Sequence, residues 1–224
     1  MHRTTKFLAV SLVTASAALA LRAAPPQGTA GGGATFEVTV TNLTPGQILS
    51  PVLVTVHDDT VDLFEAGQPA SPELAALAED GDASQLVQLL GGLGGVSDVQ
   101  VGGDVVMPGA SQMLTVRVRG GAKLLSLASM LVSTNDTFAG LDALPLPAQG
   151  TRAYALAWDA GSEFDSESCQ WIPGPPCGNG GQHDPTPAEG FVHVDSGIHG
   201  IGDLLPEQHD WRGPAAQVVI RRVH

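Results

Sequence analysis

The feature that most constrains this chain is its punctuation. With 28 glycines and 16 prolines in 224 residues, apolar runs are cut too often for long helices to form, and what lies between the cuts has strand character. Phe36-Glu-Val-Thr-Val-Thr41 alternates apolar and polar residues with period two, as a strand does when only one of its faces is buried. Asn42-Leu-Thr-Pro-Gly46 then supplies turn chemistry. Val52–His57 resumes the extended pattern, and further strands are expected at Ser97–Val101, Met113–Arg119, Leu124–Val132, Arg152–Trp158, Phe191–Asp195 and Ala216–Val223.

One helical insertion interrupts them, near residues 71–91. Ser71-Pro-Glu opens it with an N-cap serine, a proline at the first helical position and an acid in the first turn. A second short helix is expected from Asp82-Ala-Ser-Gln85, a capping-box pattern, with Leu86, Leu89 and Leu90 at helical spacing before Gly91-Gly92 stops it. About eight short strands with a small helical pair predict an all-β fold, an antiparallel β-sandwich.

The N-terminus reads as an export signal over residues 1–20. A short basic region ends at Lys6, Phe7–Leu19 is apolar with small residues, and Ala18-Leu-Ala20 suits signal peptidase, with Ala23-Ala24 as a second cleavage point. The apolar run is shorter than the roughly 20 residues that span a bilayer. Residues 21–33 are rich in Pro, Gly and Ala and read as a flexible leader, which leaves 34–224 as one domain. The formal charge is −13, and loss of Arg3 and Lys6 with the signal takes it to −15, so nucleic acid and anionic membrane are poor partners. In an oxidising compartment Cys169 and Cys177 would serve as a staple across their Pro/Gly loop.

Oxygen-bearing side chains gather in two segments, each placed after an apolar run: Thr134-Asn-Asp-Thr-Phe-Ala-Gly-Leu-Asp142 and Trp158-Asp-Ala-Gly-Ser-Glu163. Hard cations need about six to eight oxygen ligands, and carboxylates at loop mouths supply them. Asp136, Asp159 and Glu163 are the candidate metal ligands and Asp142 the next. Solvated acidic turns would look the same in sequence. A competing constellation is His57, His193 and His199, with Asp195 or Asp203 in support, which would suit a transition metal and an exported metalloenzyme. No Gly-x-Ser-x-Gly is present, and large aromatics for a sugar platform are few. No catalytic residues are assigned. Asn42-Leu-Thr44 and Asn135-Asp-Thr137 match the glycosylation sequon.

These segments carry a resemblance. Phe36–Thr44, Ser50-Pro51 through His57, Ser133–Asp142, Trp158–Glu163 and the closing Pro214…Val218-Val-Ile220 resemble the spondin N-terminal domain, known from F-spondin and mindin and also found in exported bacterial proteins. The likeness runs from about Ala34 to Val223. It implies an eight-stranded antiparallel sandwich similar to C2 domains, with Ca2+ at one end held by Asp136, Asp159 and Glu163; Glu163 stands where the animal domains carry aspartate. It also implies a binding or adhesion module of the extracellular space and not an enzyme. The thrombospondin-type repeats that accompany the animal domain are not present here, so the partner, an extracellular protein or surface ligand, is left open.

Overall fold

The computed structural model describes residues 33–223. The expected signal and all but the last residue of the 21–33 leader lie outside the described residues. Nine strands follow in chain order: β1 Ala34–Asn42, β2 Leu53–His57, β3 Val96–Val101, β4 Ser111–Val118, β5 Leu124–Met130, β6 Thr137–Pro145, β7 Gly150–Asp159, β8 His193–Val194 and β9 Ala216–Arg222. Helices α1 Pro72–Asp80 and α2 Ser84–Gly92 form the expected insertion, and a single turn, α3 Pro206–His209, precedes β9.

Every pairing is antiparallel, in the order β3-β2-β5-β6-β7-β9-β1-β4, with β8 added beside β7. The two layers share β7. Its first part, Gly150–Ala155, pairs with β9, while Leu156–Asp159 crosses over to β6. A strand that changes layers makes the corner of a nearly closed sandwich. At the opposite edge side chains bring β3 and β4 together. Arg117 N–H donates to Asp98 Oδ2 at 2.7 Å, and Arg119 N–H donates to Ser97 Oγ at 2.6 Å.

Alternation in β1 puts Phe36, Val38 and Val40 inside and leaves Thr39 and Thr41 half-buried. β2 and β5 do not alternate, because both faces are covered. One face meets the other layer through Val54, Val56, Leu125 and Leu127. The other meets Leu74, Leu77, Leu86 and Leu90 of the helical pair across Leu53, Ala128 and Phe138. That double burial gives the near-continuous apolar runs seen in their sequences.

The start of α1 is as expected: Ser71 Oγ accepts from Leu74 N–H at 3.1 Å, and Gly81 closes the helix at φ 69°. The start of α2 is not a capping box. Ala83 occupies the cap, and Asp82 Oδ1 accepts from Ser84 N–H at 2.9 Å in a local turn. β6 is a strand that the sequence pattern does not predict and makes the ninth, while the strand expected at Phe191–Asp195 is reduced to the two residues of β8.

Both sequons are buried and spent on structure. Asn42 is fully buried; its Nδ2 donates to the carbonyls of Gln47 (2.7 Å) and Val106 (2.8 Å), and its Oδ1 accepts from Thr44 N–H and Oγ1–H. Asn42→Ala strands these partners without water and is expected to destabilise the fold by about 2–3 kcal/mol in urea titration. Cys169 and Cys177 are joined.

Candidate metal centre

The turn between β5 and β6 is built by threonine. Thr134 Oγ1 donates to Leu131 O at 2.7 Å and accepts from Thr137 N–H at 3.1 Å, which closes a tight loop. Asp136 is thereby directed inward, where it is fully buried. The loop after β7 folds back over it. Gly161 adopts φ 67°, and a Cβ there would collide with the Phe191 backbone, so only glycine fits. Asp159 Oδ1 accepts from Gly161 N–H at 2.5 Å. Asp136 Oδ2 accepts from Ser162 N–H (2.7 Å), Ser162 Oγ–H (3.1 Å) and Glu163 N–H (2.9 Å).

This stitching decides which carboxylates converge. Oxygens of Asp136, Asp159 and Asp165 lie within 4.8 Å of one another. Glu163 is placed differently from its sequence assignment. Its peptide N–H is bound to Asp136, and its carboxylate points to His183 Nδ1 and, at 3.4 Å, to Asn135 Nδ2. Asp165, two residues later, takes the third place in the cluster. Asp142 is not in it: Asp142 Oδ1 accepts from Leu63 N–H (2.9 Å) and Ser126 Oγ–H (2.8 Å), a structural role in β6.

A fourth carboxylate flanks the trio. Asp195 accepts from Thr137 Oγ1–H at 2.5 Å and Gly197 N–H at 2.6 Å. With Asp165, Thr134, Asn135, Glu167 and His199 it lines a cleft of about 50 Å³, enough for water to reach the cluster. His193 approaches from β8, its Nε2 3.5 Å from Asp159 Oδ2.

The electrostatics follow from this crowding. Burial pushes the Asp136 carboxyl up to about 8, and the neighbouring charge of Asp159 adds to the effect. Burial raises Asp159 to about 6 against the pull of the Gly161 N–H. Asp165 goes to about 10 through burial and the charges of Asp195, Asp159 and Asp136. Asp195 is raised too, chiefly by burial. One atom stands out: Asp136 Oδ1 is buried and has no hydrogen-bond partner. A carboxylate oxygen in that position costs stability unless something positive meets it.

The histidine constellation does not assemble. His57 is fully buried, with Nε2 2.7 Å from Ser126 Oγ and Nδ1 2.8 Å from Asp58 O. His193 pairs with Asp159, and His199 lies 3.6 Å from Glu167 Oε1. Among the described residues no cluster of metal-ligating side chains contains two of them. Asp203 is engaged by Cys169 N–H at 2.9 Å. Sequence reasoning missed Asp165 and His183. Asp165 carries no spacing signal that separates it from Glu163, and His183 sits in a Gly-rich stretch with no motif around it.

The family described as Spondin_N matches residues 41–166, a span that includes Asp136, Asp159 and Asp165 and ends before His183, His193 and Asp195. No curated protein matches the chain.

Proposed function

The chain belongs to the spondin N-terminal family, and from that premise we propose that it is an exported, calcium-binding β-sandwich module that attaches to an extracellular protein or surface. The Asp136–Asp159–Asp165 cluster, in which Asp136 and Asp159 are buried and Asp165 half-buried, carries the reading, because Asp136 Oδ1 has no donor of its own. An all-carboxylate set suits a hard cation, and calcium tolerates the irregular ligand directions of two loops better than magnesium does. Asp136, Asp159 and Asp165 would hold it, with Asp195 flanking. Calcium bound there would neutralise charge that the fold otherwise carries unbalanced.

The chain's own residues do the rest. The three donors on Asp136 Oδ2 fix that carboxylate, so its second oxygen is presented in one direction. Gly161 and Thr134 hold the two loops in register. The cleft beside Asp165 and Asp195 leaves access for solvent or for an acidic group of a partner. Membership in the family and the Cys169–Cys177 bond support an extracellular setting. Among the described residues no helix is long and apolar enough to cross a membrane.

Calcium titration by calorimetry tests the reading. One equivalent is expected to bind, and Asp136→Asn is expected to abolish it. Full calcium binding by Asp136→Asn would refute the assignment.

A further inference from the structure

Glu163, displaced from the first cluster, belongs to a second one. Ligand atoms of Glu79, Glu163 and His183 lie within 4.8 Å of one another. His183 Nδ1 is 3.3 Å from Glu79 Oε2 and contacts Glu163 Oε1, and its Nε2 lies 3.6 Å from Asp80 Oδ2. We infer that these side chains form a separate site for a zinc-class dication, with Glu79, Glu163 and His183 as ligands and Asp80 in reach.

Three observations converge on a cation here. The first is the position of Glu79 and Asp80, the last two residues of α1, which has no basic residue in its final turn. Carboxylates at a helix C-terminus oppose the macrodipole, and a positive charge is what that end favours. The second is Glu163, only 2% exposed. Apart from the imidazole, the hydrogen bond to its carboxylate is the long one from Asn135 Nδ2 at 3.4 Å, thin compensation for a buried charge. The third is the balance of charge: three carboxylates face one imidazole. A protonated ring answers one of them, whereas a dication answers two and leaves the ring neutral as a nitrogen ligand.

The donor set also selects the metal. The first cluster is all oxygen and suits calcium. The second mixes an imidazole nitrogen with carboxylate oxygens, the set that binds zinc and related ions at about 2.0–2.2 Å. His183 is half-exposed, so an ion can enter from solvent. Binding would tie the end of α1 and the 178–190 segment to the loop whose Glu163 N–H holds Asp136. The two sites would then share no ligand residue, and Glu163 would link them only through its backbone N–H to Asp136.

The test is zinc titration of calcium-saturated protein by calorimetry, on the wild type, His183→Ala, Glu79→Gln and Asp136→Asn. Wild type is expected to take up one zinc. His183→Ala and Glu79→Gln are each expected to weaken it by at least the roughly tenfold that even an outer-sphere change brings to a metal site, with the calcium response intact. Asp136→Asn is expected to keep zinc and lose calcium, so the zinc result stands whether or not calcium fills the first cluster. No zinc uptake by the wild type would overturn the inference and leave a protonated His183 as a simple ion-pair partner. Uptake unchanged in His183→Ala, or lost in Asp136→Asn, would overturn it as well, because the zinc would then lie elsewhere.

Discussion

Removing divalent cations from the protein is expected to lower its melting temperature by on the order of 10 °C. The size follows from linkage: a ligand at 1,000 times its dissociation constant stabilises by about 4 kcal/mol, and each kcal/mol moves the midpoint of a domain this size by roughly 2–4 °C. The sign follows from the geometry, since the unfolded chain does not hold Asp136, Asp159 and Asp165 within 4.8 Å. Substitution should separate these residues sharply. Asp136→Asn and Asp165→Asn should each melt at nearly the same temperature in calcium and in chelator. Above about pH 8, where Asp136 is ionised, Asp136→Asn also removes an unanswered buried charge, so in chelator it should there equal or exceed the wild type. Glu163→Gln should keep most of its calcium response, because that carboxylate faces His183. Differential scanning calorimetry on the four proteins decides the matter. A wild type indifferent to chelation would remove calcium from the account, and a Glu163→Gln protein that loses its response would restore Glu163 to the ligand set.

The contrast between Glu163 and Asp165 marks where the sequence stops being informative. β1 is legible because one buried face imposes period two, and β2 and β5 because burial on both faces makes a continuous apolar run. β6 is not, since Gly140 and Asp142 look like turn residues. In the fold Gly140 is needed because a Cβ there would press within 3.0 Å of Phe138, Trp158 and Phe64, and Asp142 is a strand residue bonded to Leu63 and Ser126. At the site, Asp136 and Asp159 can be found because each follows a recognisable apolar run. Asp165 and not Glu163 lies beside Asp136 and Asp159 because the loop 160–165 is shaped by backbone N–H groups bound to Asp136, and no residue spacing encodes which way such a loop turns its side chains. The histidines fail for a related reason. Proximity in sequence groups His193 with His199, whereas pairing with β7 brings His193 to Asp159 and leaves His199 against Glu167.

The acidic cluster also sets a pH dependence opposite to that of most salt-bridged carboxylates. Burial lifts Asp136 to about 8 and Asp159 to about 6, against an unfolded value of about 4. Between those values the folded protein binds more protons than the unfolded chain. Its stability therefore falls as pH rises: the contribution is present in full below about pH 4 and is lost progressively from there through pH 6 and 8, and Asp165, raised to about 10, extends the decline. Every tenfold difference in proton affinity between the folded and unfolded chain corresponds to about 1.4 kcal/mol, so the metal-free protein should lose several kcal/mol across that window. Carboxyls held below their usual range by turn hydrogen bonds, Asp58 through Thr60 and Asp82 through Ser84, act only below it. Calcium reverses the slope, because it needs the ionised carboxylates and protons compete with it. Melting curves from pH 4.5 to 8.5 should thus nearly coincide with and without calcium at the acid end and diverge towards the alkaline end. Asp136→Asn should flatten the metal-free curve and close the gap. A metal-free wild type whose stability held steady or rose between pH 5 and 8 would mean that these carboxylates are not crowded and desolvated as the fold places them. The calcium reading would then lose the unbalanced charge it depends on.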